Sequence, residues 1–134
     1  MANHYPHKIH KIFKQLLNAS QLNISPKLKI VNGRPNDPFA VVALPDGTIL
    51  LSKLAINLSY KDVSETHGEI RLAFILGHEI AHIVNGDFLP KAFIGTSKYL
   101  KILQKNRGKI GRQKEIEADK QGFLYSAMAG YAVD

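Results

Sequence analysis

Apolar and polar positions alternate along the chain with two different periods, and the changes of period divide it into elements. Ile9, Ile12, Phe13, Leu16 and Leu17 recur at helical spacing, with Lys8, Lys11, Lys14 and Gln15 between them. This predicts an amphipathic helix over residues 7–19, with one face for a core and one for water. Three short apolar runs follow: Leu28-Lys29-Ile30-Val31, residues 39–44 and Thr48-Ile49-Leu50-Leu51. They are bounded by Asn32-Gly33 and by Pro45-Asp46-Gly47, so each reads as a strand. Pro-Asp-Gly between the second and third is a tight-turn signature and makes them a β-hairpin. The third strand passes into residues 52–58, read as a helix with Ser52 near its cap.

A longer helical pattern begins at Ser64 or Thr66, either of which suits an N-cap, and Glu69 is placed to complete a capping box with Thr66. Ile70, Ala73, Phe74, Gly77, Ala81 and Val84 fall near one face, which predicts a mostly buried helix. Asn85-Gly86-Asp87 ends it, with Gly86 suited to the left-handed C-cap position. Residues 88–96 read as a loop or broken helix and 98–104 as a short helix. A last helix covers about 112–129 and stops at Gly130. Strands first and helices after make an α+β domain. The expected organisation is one domain over residues 1–134, whole or as a fragment of a longer protein, with an N-terminal helical segment (1–25) and a basic connector (98–114).

Apolar content of 45% and charged content of 22% are those of a soluble globular protein. No apolar run approaches the ~18 residues that span a bilayer. One such run, Leu72 to Leu76, falls inside the long helix. The N-terminus lacks the apolar core of a signal peptide, which leads to the expectation of a cytoplasmic protein. The absence of cysteine excludes disulfides and thiolate metal ligands. The net charge of +7 arises in one segment. Lys98, Lys101, Lys105, Arg107, Lys109, Arg112 and Lys114 occur with no acidic residue among them, and the remaining 11 basic residues balance the 11 acidic ones. The segment is either a solvated helix face and turn or a contact surface for an anionic partner, whether lipid headgroups, nucleic acid or an acidic substrate.

The chemistry concentrates in Gly77-His78-Glu79-Ile80-Ala81-His82, which reads H-E-x-x-H. Four residues apart on a helix, His78 and His82 can offer two imidazoles to one metal ion, while Glu79 can reach a water at that metal as general base. A catalytic zinc site needs a third protein ligand. Glu115-Ile116-Glu117-Ala118-Asp119 is the acidic cluster downstream, and it starts 33 positions after His82. Glu115 and Asp119 share a helix face. One of these carboxylates can bind the metal, and the other can accept the free N–H of a ligating imidazole. Ala118 allows the two helices a close approach. His4, His7 and His10 have helical spacing but no carboxylate partner, so they make no second site.

Gly77–His82, taken with Arg112-Gln113-Lys114-Glu115-Ile116-Glu117-Ala118-Asp119, resembles the HtpX-like zinc metallopeptidases. This gluzincin family includes the CaaX prenyl proteases and the periplasmic protease BepA. Asp37-Pro38-Phe39-Ala40 with Leu44-Pro45-Asp46-Gly47-Thr48-Ile49 is similar to the family's segment before the site helix, and Ala127-Met128-Ala129-Gly130-Tyr131 to the A-G-Y turn after its second site helix. The resemblance implies a minimal zincin-like domain with one zinc ion per chain. Its ligands would be His78, His82 and Glu115, with Glu79 as general base and Asp119 orienting one of the histidines. It further implies hydrolysis of a protein or peptide substrate, added as an extended strand against residues 48–51. Members continue past A-G-Y to a His or Arg that can stabilise the oxyanion; with this sequence given to Asp134, either the chain is a fragment of a longer protein or a resident residue substitutes, with Tyr125, Tyr131, His67 and Arg112 as candidates. Two rivals remain. One is an ImmA-like regulatory metallopeptidase, against which the Pro-Asp-Gly hairpin speaks. The other is a zinc-containing module that uses residues 98–114 on nucleic acid or anionic membrane, with strongly salt-dependent binding.

Overall fold

The computed structural model describes residues 5–21, 26–33, 41–44, 46–87 and 112–131. Among them lie four helices and a three-stranded sheet, in the order α1 (Tyr5–Ser20), β1 (Leu28–Val31), β2 (Val41–Ala43), β3 (Ile49–Ser52), α2 (Lys53–Tyr60), α3 (Glu65–Val84) and α4 (Arg112–Met128). The domain is α+β, as its patterning predicts. The loop and short helix expected over residues 88–104, most of the basic connector, Asp37-Pro38-Phe39-Ala40 and Pro45 lie outside the described residues.

The apolar stripe of α1 is buried as its spacing requires, with Ile9, Ile12 and Leu16 inaccessible to solvent. The stripe packs with Ile49 and Leu51 of β3 and with Leu72, Leu76 and Ile80 of α3 in one core. In the hairpin, Leu44 N–H donates to Thr48 O at 2.7 Å and Gly47 N–H to Leu44 O at 2.9 Å. Thr48 N–H donates to Asp46 Oδ1 at 2.9 Å, and Gly47 takes a φ of 91°, which glycine adopts without steric cost.

Sheet order corrects one expectation. The strands run β1-β3-β2, with β1 parallel to β3 (Leu28 opposite Ile49) and β2 antiparallel to it (Val41 opposite Leu51). Residues 48–51 are therefore central and cannot receive a substrate strand; among the described residues the outer strand of the hairpin is β2. An unbroken apolar run such as Ile49-Leu50-Leu51 is typical of a covered strand, but the parallel partner on its far side cannot be read from the sequence. Hydrogen bonds alternate along an antiparallel pair. With Leu44 bonded to Thr48, it is Val41 and Ala43 that turn their N–H and C=O groups away from β3.

Two details of the helices also differ from expectation. Ser64, not Thr66, caps α3: its Oγ accepts from His67 N–H at 3.2 Å. Thr66 thus lies inside the first turn and forms no capping box with Glu69. The buried face is also rotated. Leu72, Ala73, Leu76, Gly77, Ile80, Ala81 and His82 are inside, Ile70 and Phe74 are half-buried, and Val84 is exposed. Helices α1, α2 and α4 all pack against α3, so more than one of its faces is covered and a single-face reading places the core wrongly. No helix among the described residues is long and apolar enough to cross a membrane.

Ser52 joins the sheet to the helices. It ends β3, is fully buried, and its Oγ accepts from Ala55 N–H at 3.1 Å as the cap of α2. Ser52→Ala should lower unfolding stability by about 1–2 kcal/mol, read as a lower urea midpoint with an unchanged m-value.

Candidate metal centre

The centre is built where α3 and α4 touch. A Cβ placed on Gly77 would meet Gly122 O at 2.8 Å, and one on Gly122 would meet His78 N at 2.6 Å. Both positions therefore require glycine, and the helix backbones meet at the first residue of H-E-x-x-H. Ala118, one turn before Gly122, is fully buried and continues the contact.

At this separation the carboxylates of α4 reach the imidazoles of α3. Glu115 Oε1 lies 3.2 Å from His78 Nε2 and 2.7 Å from His82 Nε2, and the two Nε2 atoms are 3.1 Å apart. His78, His82 and Glu115 form the one group of three His, Asp or Glu donors among the described residues that can hold a metal ion. Donors at 2.0–2.1 Å from a tetrahedral zinc are about 3.3 Å apart, close to these separations.

The outer nitrogen of each imidazole is also engaged. His78 Nδ1 lies 2.6 Å from Asp119 Oδ1, and His82 Nδ1 lies 2.8 Å from Asp87 Oδ2. A carboxylate accepts, so each Nδ1 carries the proton and each Nε2 turns its lone pair inward. Two lone pairs and a carboxylate oxygen then converge on one point, an arrangement that repels itself unless a cation or a proton stands among them. The donor set fits a divalent metal.

Asp87 is the residue that the sequence reading missed. It follows the helix end, where Gly86 at φ 62° lets Gly86 N–H donate to Ile83 O and Asp87 N–H donate to His82 O. This Schellman closure folds the residue after the glycine back over the residue three positions inside the helix end. Here that residue is His82. The signal was present as an acid one position after a C-terminal glycine and five after the second histidine. The His82–Asp87 pair is almost fully buried, at 5% and 6% exposure, whereas Glu115 and Asp119 are about half exposed.

Glu79 has a separate setting. Its side chain is 15% exposed and Oε2 lies 3.9 Å from His78 Nε2. Burial pushes its carboxyl above the ordinary range, against the opposing influence of His78 and His82 and of a hydrogen bond from Ala43 N–H on the β2 edge. His82 is also raised. Burial favours its neutral form, but the hydrogen bonds to Asp87 and Glu115 and the charges of Glu79 and Glu115 outweigh it.

The structure keeps most of the four oxyanion candidates away from this cluster. His67 lies eleven residues before His78, about 16 Å along the helix, and its Nδ1 is 2.8 Å from Ser64 Oγ. Tyr131 O–H donates to Gln15 Oε1 on α1. Tyr125 is buried in the core about 15 Å along α4 from Glu115. Arg112 alone shares the Glu115 end of α4, one turn away and exposed. His7 and His10 take no part in the donor cluster, and His4 lies outside the described residues.

The sequence model of peptidase family M48 matches residues 4–104. The matched stretch holds His78, Glu79, His82 and Asp87 and ends before α4. Neither the curated proteins nor the solved structures gave a match to the chain.

Three measurements follow from the geometry. Gly122→Ala should both lower the melting temperature and weaken divalent-metal binding, since the added methyl meets backbone rather than a movable side chain. Asp87→Ala should weaken metal binding about 10–100-fold in competition with a chromophoric chelator. The raised pKa of His82 sets the pH dependence. Protonated His82 stabilises the metal-free fold fully below its ordinary 6.5, and that contribution is lost as pH rises through the raised value. Metal displaces the same proton, so affinity should climb with pH across that window.

Proposed function

The chain belongs to peptidase family M48, and so to the metallopeptidases, and from this we propose that it is a zinc-dependent endopeptidase. His78, His82 and Glu115 hold one zinc ion, and Glu79 is the general base. The observation that carries this reading is the convergence of His78 Nε2, His82 Nε2 and Glu115 Oε1 within 3.2 Å, with both outer imidazole nitrogens committed to carboxylates.

Zinc, when bound, supplies Lewis acidity towards a water and a peptide carbonyl. The remaining work falls to the chain. Asp87 and Asp119 fix the tautomer and the direction of the imidazoles. Glu79 takes a proton from the attacking water and delivers it to the departing amine. Its raised proton affinity suits a base that must also act as an acid. The edge of β2 offers the outward N–H and C=O of Val41 to an extended peptide, by strand addition. The Ala43 N–H on Glu79 keeps that edge beside the base.

The test combines metal analysis with turnover. The purified protein should contain one zinc per chain and cleave casein, and a chelator should stop the cleavage. Glu79→Gln should retain zinc and lose turnover by about 10²–10⁴-fold, whereas Glu115→Ala should lose zinc affinity. Zinc-free purified protein, turnover retained in Glu79→Gln, or an unchanged affinity in Glu115→Ala would each overturn the proposal.

A further inference from the structure

The flank of α3 that leaves the core faces an apolar recess of about 540 Å³. Val41 of the β2 edge, Ala55 and Leu58 of α2, and Ile70, Arg71, Phe74 and Ile75 of α3 wall it, and the exposed lining is almost wholly apolar. Ser59 also lines it, with its O–H already donated to Ala55 O at 3.0 Å. Leu58 is 52% exposed.

Two connections tie the recess to the metal centre. Val41 is at once a wall of the recess and an outward-turned residue of the edge strand, two residues from the Ala43 N–H that meets Glu79. On the helix, Phe74 and Ile75 stand one turn before His78 and Glu79. A peptide laid along β2 with its scissile bond at Glu79 therefore carries a side chain over the recess about two residues, or 6–7 Å, away.

We propose that this recess is the subsite that selects the substrate, and that it takes a bulky aliphatic or aromatic side chain within about two residues of the scissile bond. The assignment rests on the endopeptidase reading above. A polar side chain placed there loses its water among walls that are apolar but for Arg71, while a small one leaves much of the space unfilled. Pockets of this kind discriminate by about 10–200-fold between neighbouring apolar side chains.

The zinc-loaded full chain is incubated with a proteome-derived peptide library, and the cleavage sites are read by mass spectrometry. Separately, Glu79→Gln protein is titrated with fluorescent decapeptides that differ only in Phe or Ser at one central position. One position within two residues of the cut should be enriched in large apolar side chains, and Ser there should lower kcat/KM about 10–100-fold. Leu58→Glu should abolish the preference, and Phe74→Ala should shift it towards larger side chains. The Phe decapeptide should bind at least about 10-fold tighter than the Ser one, and Leu58→Glu should remove the difference. Cleavage without apolar enrichment, or enrichment that neither wall variant moves while both shift the melting temperature, would overturn the subsite and leave the peptidase standing; the second result would mean that another part of the chain covers the recess. Discrimination in binding with no cleavage by the zinc-loaded chain would instead remove the peptidase reading and keep the recess as a site for apolar side chains. Neither cleavage nor discrimination would overturn both.

Discussion

The metal centre depends on one contact, the meeting of two helix backbones at Gly77 and Gly122. Helices that pack through ordinary side chains keep their axes 8–10 Å apart. Here a single Cβ on either side would strike backbone at under 3 Å. The closeness decides what short carboxylates can do. Asp119 reaches the outer nitrogen of His78 while Glu115 reaches the inner nitrogens of both histidines, and all three contacts are within 3.2 Å. Push the helices apart by the width of a methyl group and the three-donor cluster opens.

That contact also shapes the chemistry of the donors. The imidazoles are backed by carboxylates in different settings, His82 by a buried Asp87 and His78 by a half-exposed Asp119. The buried pair fixes the floor of the cluster, and the side of Glu115 and Asp119 faces solvent. Glu79 lies between the cluster and the β2 edge, so its carboxyl, the three donors and the edge strand meet along one short stretch of α3 and its neighbouring strand.

Much of this was legible in the sequence. Helical periodicity marked α1 and α3, Pro-Asp-Gly marked the hairpin, and the spacing of His78, His82, Glu115 and Asp119 marked the cluster. Three things were hidden, each for a physical reason. The parallel pairing of β1 to β3 joins residues about twenty positions apart and leaves no local trace, so the edge strand was misassigned. The buried face of α4 is made of Ala118, Gly122, Tyr125 and Ser126, while Ile116, Phe123, Leu124 and Met128 are exposed. A helix that packs through small residues shows no apolar stripe. Asp87 escaped because its approach to His82 depends on a positive φ at Gly86, a property of turn geometry rather than of helix periodicity.

The parts of the cluster come together over very different distances along the chain. His78, His82 and Asp87 span ten residues and are brought together by one helix and its terminating turn. Glu115 joins only after a detour of 33 residues, when α4 docks at the glycine contact. Two imidazoles alone fall short of the three protein ligands that a catalytic metal requires. An incompletely folded chain therefore lacks a working centre. The cluster is thus a product of tertiary structure, completed only by the docking of α4 on α3.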